Sequence, residues 1–170
     1  MNQKRKHRMR IGIIFAVIAT ALIIIFMPKK IENGSSSSSE ALTFKKQGEL
    51  TFSGDDNRPK VTIDIEIADN DDKREIGMMG RTVMEERQGM LFVFDQEHMA
   101  SFWMKNTILP LDIIFVDKTG EIVTICRNTT PFSEQSYSAV ALTLFVVEVN
   151  AGFTDKYDIK EGDSIVWRRL

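Results

Sequence analysis

The sequence predicts an α+β fold, namely a strongly bent antiparallel sheet or small barrel with one or two short helices, preceded by one N-terminal transmembrane helix. Three observations lead to this prediction. One long apolar run lies near the N-terminus, at residues 11–27. Short segments rich in Val, Ile and Phe dominate the rest of the 170 residues, and turn signals separate them. Helix signals occur only near residues 70–80 and 153–159, so strands form most of a single domain.

The apolar run predicts a membrane anchor. Residues 11–27 contain no charge and approach the shortest length that spans a hydrocarbon core of about 30 Å. The basic segment 1–10 precedes the run, so we expect a cytoplasmic tail and a single-pass signal-anchor in the inner membrane. Residues 28–40, which include a run of five serines, are predicted to be a flexible linker. Residues 41–170 then form one domain on the periplasmic, extracytoplasmic side. The alternative is a cleaved signal peptide, but residues 28–33 separate the run from the first small residues, Gly34 and Ser35.

Charge and cysteine content exclude several classes of function. Residues 28–170 hold 17 of the 22 basic and all 24 acidic residues, a net charge of −7. This balance argues against a nucleic-acid partner. The single cysteine, Cys126, excludes an internal disulfide and a multi-cysteine zinc site. A catalytic pair of Cys126 with the one histidine of this region, His98, is the weaker alternative to a half-buried free thiol. We therefore expect no catalytic residue, no metal and no cofactor.

The first elements follow from apolar alternation and capping signals. Residues 42–52 suggest a small hairpin with Gly48 in its connection. Residues 61–67 alternate as a strand whose Val and Ile side chains face the core, with Thr62, Asp64 and Glu66 facing water.

A helix follows the strand at 61–67. Asp69 or Asn70 can cap its start, and two acidic residues complement its dipole. Gly80 is the predicted stop. Residues 82–85 have the spacing of a capping box for one further turn, which Gly89 would end.

The second half reads mostly as strands. The turn at residues 118–120 joins two of them as a hairpin. A short helix is predicted near 153–159. The predicted strands are 89–94, 99–105, 111–117, 121–127, 139–150 and 164–167.

The densest group of polar and aromatic residues lies at 101–112. An exposed Trp103 beside Lys105, Asn106, Thr107 and Asp112 resembles a binding site for carbohydrate or another small polar ligand. The alternative is structural. Asn106 and Thr107 then cap a turn, Lys105 and Asp112 form a cross-strand ion pair, and Trp103 fills the core.

Two strings carry a resemblance to a known family. GMMGRTVMEERQGMLFVF (77–94) and FWMKNTILPLDIIFVDKTGEIV (102–123) resemble the hallmark of domain-of-unknown-function family 192, and the similarity extends over about residues 59–168. The resemblance implies a compact β-rich domain that often follows a signal peptide or anchor, and it transfers no catalytic role. The motif residues outside the candidate ligand site are interpreted as structural, and they include Gly80, Gly89, Met90, Phe102, Met104 and Pro110.

The leading functional hypothesis is a membrane-tethered, non-catalytic binding or assembly module for an envelope glycan or an envelope protein. Its candidate ligand-binding residues are Arg81, Trp103, Lys105, Asn106, Thr107 and Asp112. Arg81 can pair with a carboxylate of Asp112 or Glu148, or with an anionic ligand. The alternative is an envelope-acting hydrolase or transferase that uses Arg81, Lys105 and Asp112. A third interpretation makes the motif purely structural.

Overall fold

The computed structural model describes residues 43–170, and this part of the chain is β-rich with two short helices. The helices are α1 (Asp71–Ile76) and α2 (Phe153–Lys156). The strands are β1 (Gly48–Ser53), β2 (Pro59–Ala68), β3 (Gln88–His98), β4 (Ser101–Phe102), β5 (Leu111–Val116), β6 (Ile122–Cys126), β7 (Tyr137–Ser138), β8 (Thr143–Asn150) and β9 (Ser164–Arg169).

Seven strands form one mostly open sheet in the order β6-β5-β8-β3-β2-β1-β9, and β4 pairs with β7 separately. The two edges meet at an isolated bridge between Glu121 and Ser164 and through neighbouring backbone hydrogen bonds, such as that from the Ile122 N–H to the Asp163 carbonyl at 2.8 Å. Strands β6 and β9 do not pair as a ladder, so the sheet stays mostly open. The prediction of an antiparallel sheet is correct except at β2 and β3, which run parallel. They are parallel because the connection that contains α1 carries the chain back to the same end of the sheet.

The two faces of the sheet bury separate cores. On the first face, the largest fully buried side chains include Phe52, Ile63, Ile65, Leu91 and Ile114. The second face, called the motif face below, packs against the segments that carry the sequence motif. Its buried side chains are Ala68, Met78, Met90, Phe92, Ala100, Met104, Leu111, Ile113, Phe115, Ala139 and Val146.

Helix α1 begins where the capping signal predicts. The Asn70 side chain accepts a hydrogen bond from the backbone N–H of Lys73 at 3.0 Å, and two aspartates occupy the first turn. The helix ends at Ile76, earlier than the predicted stop at Gly80. Gly77 adopts a φ of 45° and donates its N–H to the carbonyl of Lys73, which ends the helix.

Three local predictions are wrong within the described residues. No strand lies at 43–47, because β1 pairs with β2 and β9 rather than with the residues just before it. Residues 82–85 form no helical turn, and β3 starts at Gln88. The predicted strand 99–105 is reduced to the two residues of β4, because the chain turns immediately after Phe102.

The predicted cytoplasmic tail (1–10), signal-anchor (11–27) and linker (28–40) lie outside the described residues. So do the first two residues of the predicted domain at 41–170. Across residues 43–170, no helix has the length and apolar character needed to cross a membrane.

Candidate functional site

Residues 103–110, called the motif loop below, connect β4 to β5. Backbone hydrogen bonds attach this loop to the neighbouring segment around Phe132. The Met104 N–H donates to the Ser133 carbonyl at 2.9 Å, and the Phe132 N–H donates to the Thr107 carbonyl at 3.1 Å. Met104 is fully buried on the motif face, where its sulfur accepts a 3.2 Å hydrogen bond from the Thr129 hydroxyl. The loop is thus held in one conformation by its buried side.

The other side of the motif loop presents large side chains to solvent. Trp103 is 49% exposed, so it does not fill the core. The Lys105 ammonium lies 4.9 Å from the centroid of the Trp103 ring, which is the geometry of a cation–π contact. Ile108 is 38% exposed and Phe132 is 63% exposed. Trp103, Lys105 and Ile108 on the motif loop, and Phe132 on the segment hydrogen-bonded to it, therefore all present their side chains to solvent.

Asn106 and Thr107 make local bonds of the kind expected in a turn. The buried Thr107 donates its hydroxyl to the Lys105 carbonyl at 3.3 Å. Asn106 is exposed with a φ of 56°, and its carbonyl accepts from the Gly80 N–H at 2.9 Å. Asn106 thereby joins the motif loop to the segment that follows α1.

Replacing Asn106 with Ala is expected to destabilise the domain by about 1 kcal/mol, because an alanine tolerates a positive φ poorly. Asn106→Gly should retain most of the stability, because glycine adopts this φ freely. Urea denaturation measures both variants, with Lys105→Ala as the matched exposed control. Equal losses for Ala and Gly would show that the Asn106 side chain matters rather than its backbone conformation.

Asp112 is fully buried in β5 and faces the first core. One carboxylate oxygen accepts from the N–H groups of Asn128 at 2.9 Å and Gly152 at 3.3 Å. The other accepts from the Thr154 N–H at 3.0 Å and the Thr154 hydroxyl at 2.7 Å. Four donors thus surround this carboxylate, and it connects β5 to the start of α2. No lysine pairs with it among residues 43–170.

Arg81 is buried on the motif face and forms an ion pair with Glu66, not with Asp112 or Glu148. The second oxygen of Glu66 accepts a 2.9 Å hydrogen bond from the Lys45 backbone N–H. Glu66 was expected to face water, and that prediction is wrong. The strand alternation correctly places the Glu66 side chain on the face of the sheet that points away from the first core. Arg81 and the segment at 77–81 cover that face, so Glu66 is buried there.

A cleft of about 240 Å³ opens beside the Arg81–Glu66 pair. We call it the Arg81 cleft. It lies where β2 and β3 meet the C-terminal end of α1. Its walls are mostly apolar, and three basic side chains are among the lining residues. The lining residues are Lys45, Gln47, Glu66, Ile67, Ala68, Lys73, Ile76, Gly77, Met79, Arg81 and Met90.

Glu148 is a buried carboxyl group that sequence reasoning left unassigned except as a possible partner of Arg81. In the sheet Glu66 pairs with Met90, and Met90 pairs with Glu148, so all three lie on the motif face. The Oε2 atom of Glu148 has no hydrogen-bond partner in the described part of the chain. Burial raises the pKa of this carboxyl group to about 8. The signal was present in the sequence, where one acidic residue interrupts the apolar run of β8.

The remaining motif residues have structural positions. Gly89 is tightly enclosed, since a Cβ there would lie 2.8 Å from the carbonyl oxygen of Glu148. Phe102 packs edge-on against Phe92, with ring centroids 4.9 Å apart. The Pro110 carbonyl accepts from the Ala151 N–H at 3.0 Å. Across the described residues, no group of three or more His, Cys, Asp or Glu side chains is arranged to hold a metal ion.

The predicted ligand-binding residues therefore divide into three places. Trp103, Lys105, Asn106 and Thr107 lie together on the motif loop. Arg81 lies in its own cleft, on the motif face. Asp112 lies on the opposite face of the sheet, beneath α2.

A comparison with protein families assigns the chain. The model of the DUF192 family, described as an uncharacterized ACR, matches residues 53–167. The chain belongs to the DUF192 family. No curated protein matches it.

Two crystal structures resemble this DUF192 chain in sequence and in fold. One is a protein of unknown function from Novosphingobium aromaticivorans DSM 12444, with 35% identity and a TM-score of 0.66, covering 70% of this chain and 84% of that one. The other is a protein from Sinorhizobium meliloti 1021 whose name proposes a transcription regulator. It has 31% identity and a TM-score of 0.69, covering 74% of this chain and 97% of that one.

Proposed function

We propose that this DUF192 protein is a non-catalytic binding or assembly module of the cell envelope. In this proposal residues 11–27 anchor the chain in the inner membrane, with residues 1–10 in the cytoplasm. Residues 41–170 lie on the extracytoplasmic side, where the motif loop contacts an envelope protein. The observation that carries the proposal is the set of exposed apolar side chains on the motif loop and on the segment around Phe132 that is hydrogen-bonded to it.

These side chains suit a protein contact. Trp103, Ile108 and Phe132 are exposed on two segments that backbone hydrogen bonds join. Exposed apolar groups that cluster on a surface are typical of interaction sites, and Trp is enriched among the residues that dominate binding energy. Because the buried Met104 already holds the loop in place, little conformational entropy is lost on binding.

An envelope glycan is the less favoured ligand. Sugar recognition commonly uses an open aromatic face surrounded by amides and charges. Here the Lys105 ammonium lies over the Trp103 ring, and the flanking Ile108 and Phe132 are apolar. This composition favours a protein partner over a carbohydrate.

The placement of polar groups also argues against the hydrolase or transferase alternative. That alternative needs Arg81, Lys105 and Asp112 to work on one substrate. Arg81 lies in its cleft on the motif face, whereas Asp112 is buried on the first face with four hydrogen-bond donors. Lys105 contacts the Trp103 ring. Within residues 43–170, Arg81 and Asp112 lie on opposite faces of the sheet, so the three side chains do not surround one substrate.

Photo-crosslinking in native membranes tests the proposal. A photoreactive residue at position 108 of the full chain should give a discrete protein adduct, and Trp103→Ala should reduce its yield at least about tenfold, as expected for a central interface residue. The matched control is position 166, where Val166 is also exposed but lies far along the chain, on β9.

Two results would contradict the proposal. One is equal adduct formation at both positions. The other is an adduct that Trp103→Ala leaves unchanged. An adduct of position 108 with glycan, and none with protein, would assign the site to the glycan and would also contradict the proposal.

A further inference from the structure

The ion pair in the Arg81 cleft leaves Arg81 only partly satisfied. Arg81 contacts the Oε2 atom of Glu66 as an ion pair, but that oxygen accepts no hydrogen bond within the described residues. The Oε1 atom of Glu66 accepts from the Lys45 backbone N–H. A guanidinium group has five N–H donors. Arg81 is only 7% exposed, yet its side chain has no partner other than Glu66 among residues 43–170. Because Arg81 lines the cleft, its remaining donors are available to a group bound there.

The charges around the cleft favour an anion. Lys73 is neutralised by Asp69, with 2.7 Å between the ammonium and the carboxylate. The ammonium of Lys45, which also lines the cleft, has no acidic partner in the described part of the chain. Two cations therefore face the single carboxylate of Glu66. The net charge of these three groups is +1, so the cleft attracts an anion.

The walls of the cleft favour an apolar group beside that anion. Ile76 is 58% exposed at the end of α1, and Met79 and Met90 complete an apolar wall. The volume of about 240 Å³ lies below the roughly 300–1,000 Å³ of sites for drug-sized ligands. The ligand is therefore small.

We infer that the Arg81 cleft binds a monocarboxylate that carries a short aliphatic group. The carboxylate accepts hydrogen bonds from the free N–H donors of Arg81. The aliphatic group lies against Ile76, Met79 and Met90. This site is separate from the motif-loop contact proposed above, and either can fail without the other.

Titration of the full chain in nanodiscs with hexanoate tests the inference. The methyl groups of methionine are labelled with carbon-13 and followed by NMR, because Met79 and Met90 line the cleft and the fully buried Met104 does not. Hexanoate should shift the Met79 and Met90 signals saturably and leave Met104 unchanged. Hexan-1-ol and inorganic phosphate should each bind at least about tenfold more weakly than hexanoate. Hexan-1-ol lacks the carboxylate that Arg81 binds, and phosphate lacks the aliphatic group.

Two variants complete the test. Ile76→Trp should fill the cleft and abolish the saturable shifts. Because Ile76 is exposed, the variant should keep the fold of the wild type. Val83→Trp is the matched control, since Val83 is exposed outside the cleft and the variant should bind hexanoate normally. Equal affinity for hexan-1-ol and hexanoate would overturn the inference. So would hexanoate binding that survives Ile76→Trp, and so would an absence of saturable shifts.

Discussion

Replacing Glu148 with Gln is expected to stabilise the domain by about 2–4 kcal/mol at pH 8 and to change little at pH 4.5. The Glu148 side chain is buried, its Oε2 atom lacks a partner within the described residues, and burial raises its pKa to about 8. Ionising this carboxyl group inside the protein is therefore costly. Glutamine occupies nearly the same volume and never ionises.

The sign of the pH dependence follows from proton binding. The folded state keeps the Glu148 proton up to a pKa of about 8, whereas the unfolded chain releases it near the ordinary value of 4.5. Between these pH values the folded state binds more protons than the unfolded state. The contribution of Glu148 to stability is thus fully present below pH 4.5 and is lost as the pH rises towards 8. Above that pH its contribution becomes constant.

Chemical denaturation from pH 4 to pH 9 measures this effect, on a soluble fragment that starts in the serine-rich linker. The wild-type free energy of unfolding should fall across that interval by several kcal/mol relative to Glu148→Gln. Glu134→Gln is the matched control, because Glu134 is an exposed carboxylate and its replacement should leave the wild-type profile intact. Identical pH profiles for Glu148→Gln and the wild type would show that Glu148 does not carry the dependence.

Replacing Asp112 with Ala is expected to destabilise the domain by about 3–5 kcal/mol. The substitution removes both acceptor oxygens and leaves the donors of Asn128, Gly152 and Thr154 without this partner. The two donors of Thr154 are buried, so the loss of their partner costs most. Asp112→Asn keeps one acceptor oxygen, so the free energy of unfolding should fall by less, about 1–3 kcal/mol.

Urea denaturation compares these variants with Asp155→Ala, which removes a largely exposed aspartate from α2. Asp155→Ala should cost less than about 1 kcal/mol, as is usual for an exposed ion pair. A loss below about 1 kcal/mol for Asp112→Ala would contradict the structural role of this carboxylate.

Short-range signals predicted the elements that depend on neighbouring residues. The alternation of residues 61–67 places their apolar side chains on the first face of β2. Asn70 caps α1, and the turn at 118–120 joins β5 and β6 as an antiparallel hairpin. Each of these features is determined by residues within a few positions of one another, so the sequence alone contains the necessary information.

Long-range pairing could not be predicted in the same way. Nothing local indicates that β1 pairs with β9, or that β2 and β3 run parallel. The burial of Glu66 has the same origin, because Arg81 reaches it only after the chain has passed through α1. The sequence therefore indicates that the residues of the motif loop lie together, because they are contiguous, but it could not place Arg81 and Asp112 relative to that loop.

The position of β1 constrains how the protein can be made. β1 lies between β2 and β9, and the N–H of Leu170 donates to the Gln47 carbonyl at 2.9 Å. A chain synthesised from its N-terminus onward therefore cannot complete this sheet until residues 164–170 have emerged. Until then one edge of β1 has unpaired backbone groups and can pair with another chain. A chain truncated before residue 164 would keep the edge of β1 unpaired permanently. We therefore expect such a product to aggregate rather than to fold without β9.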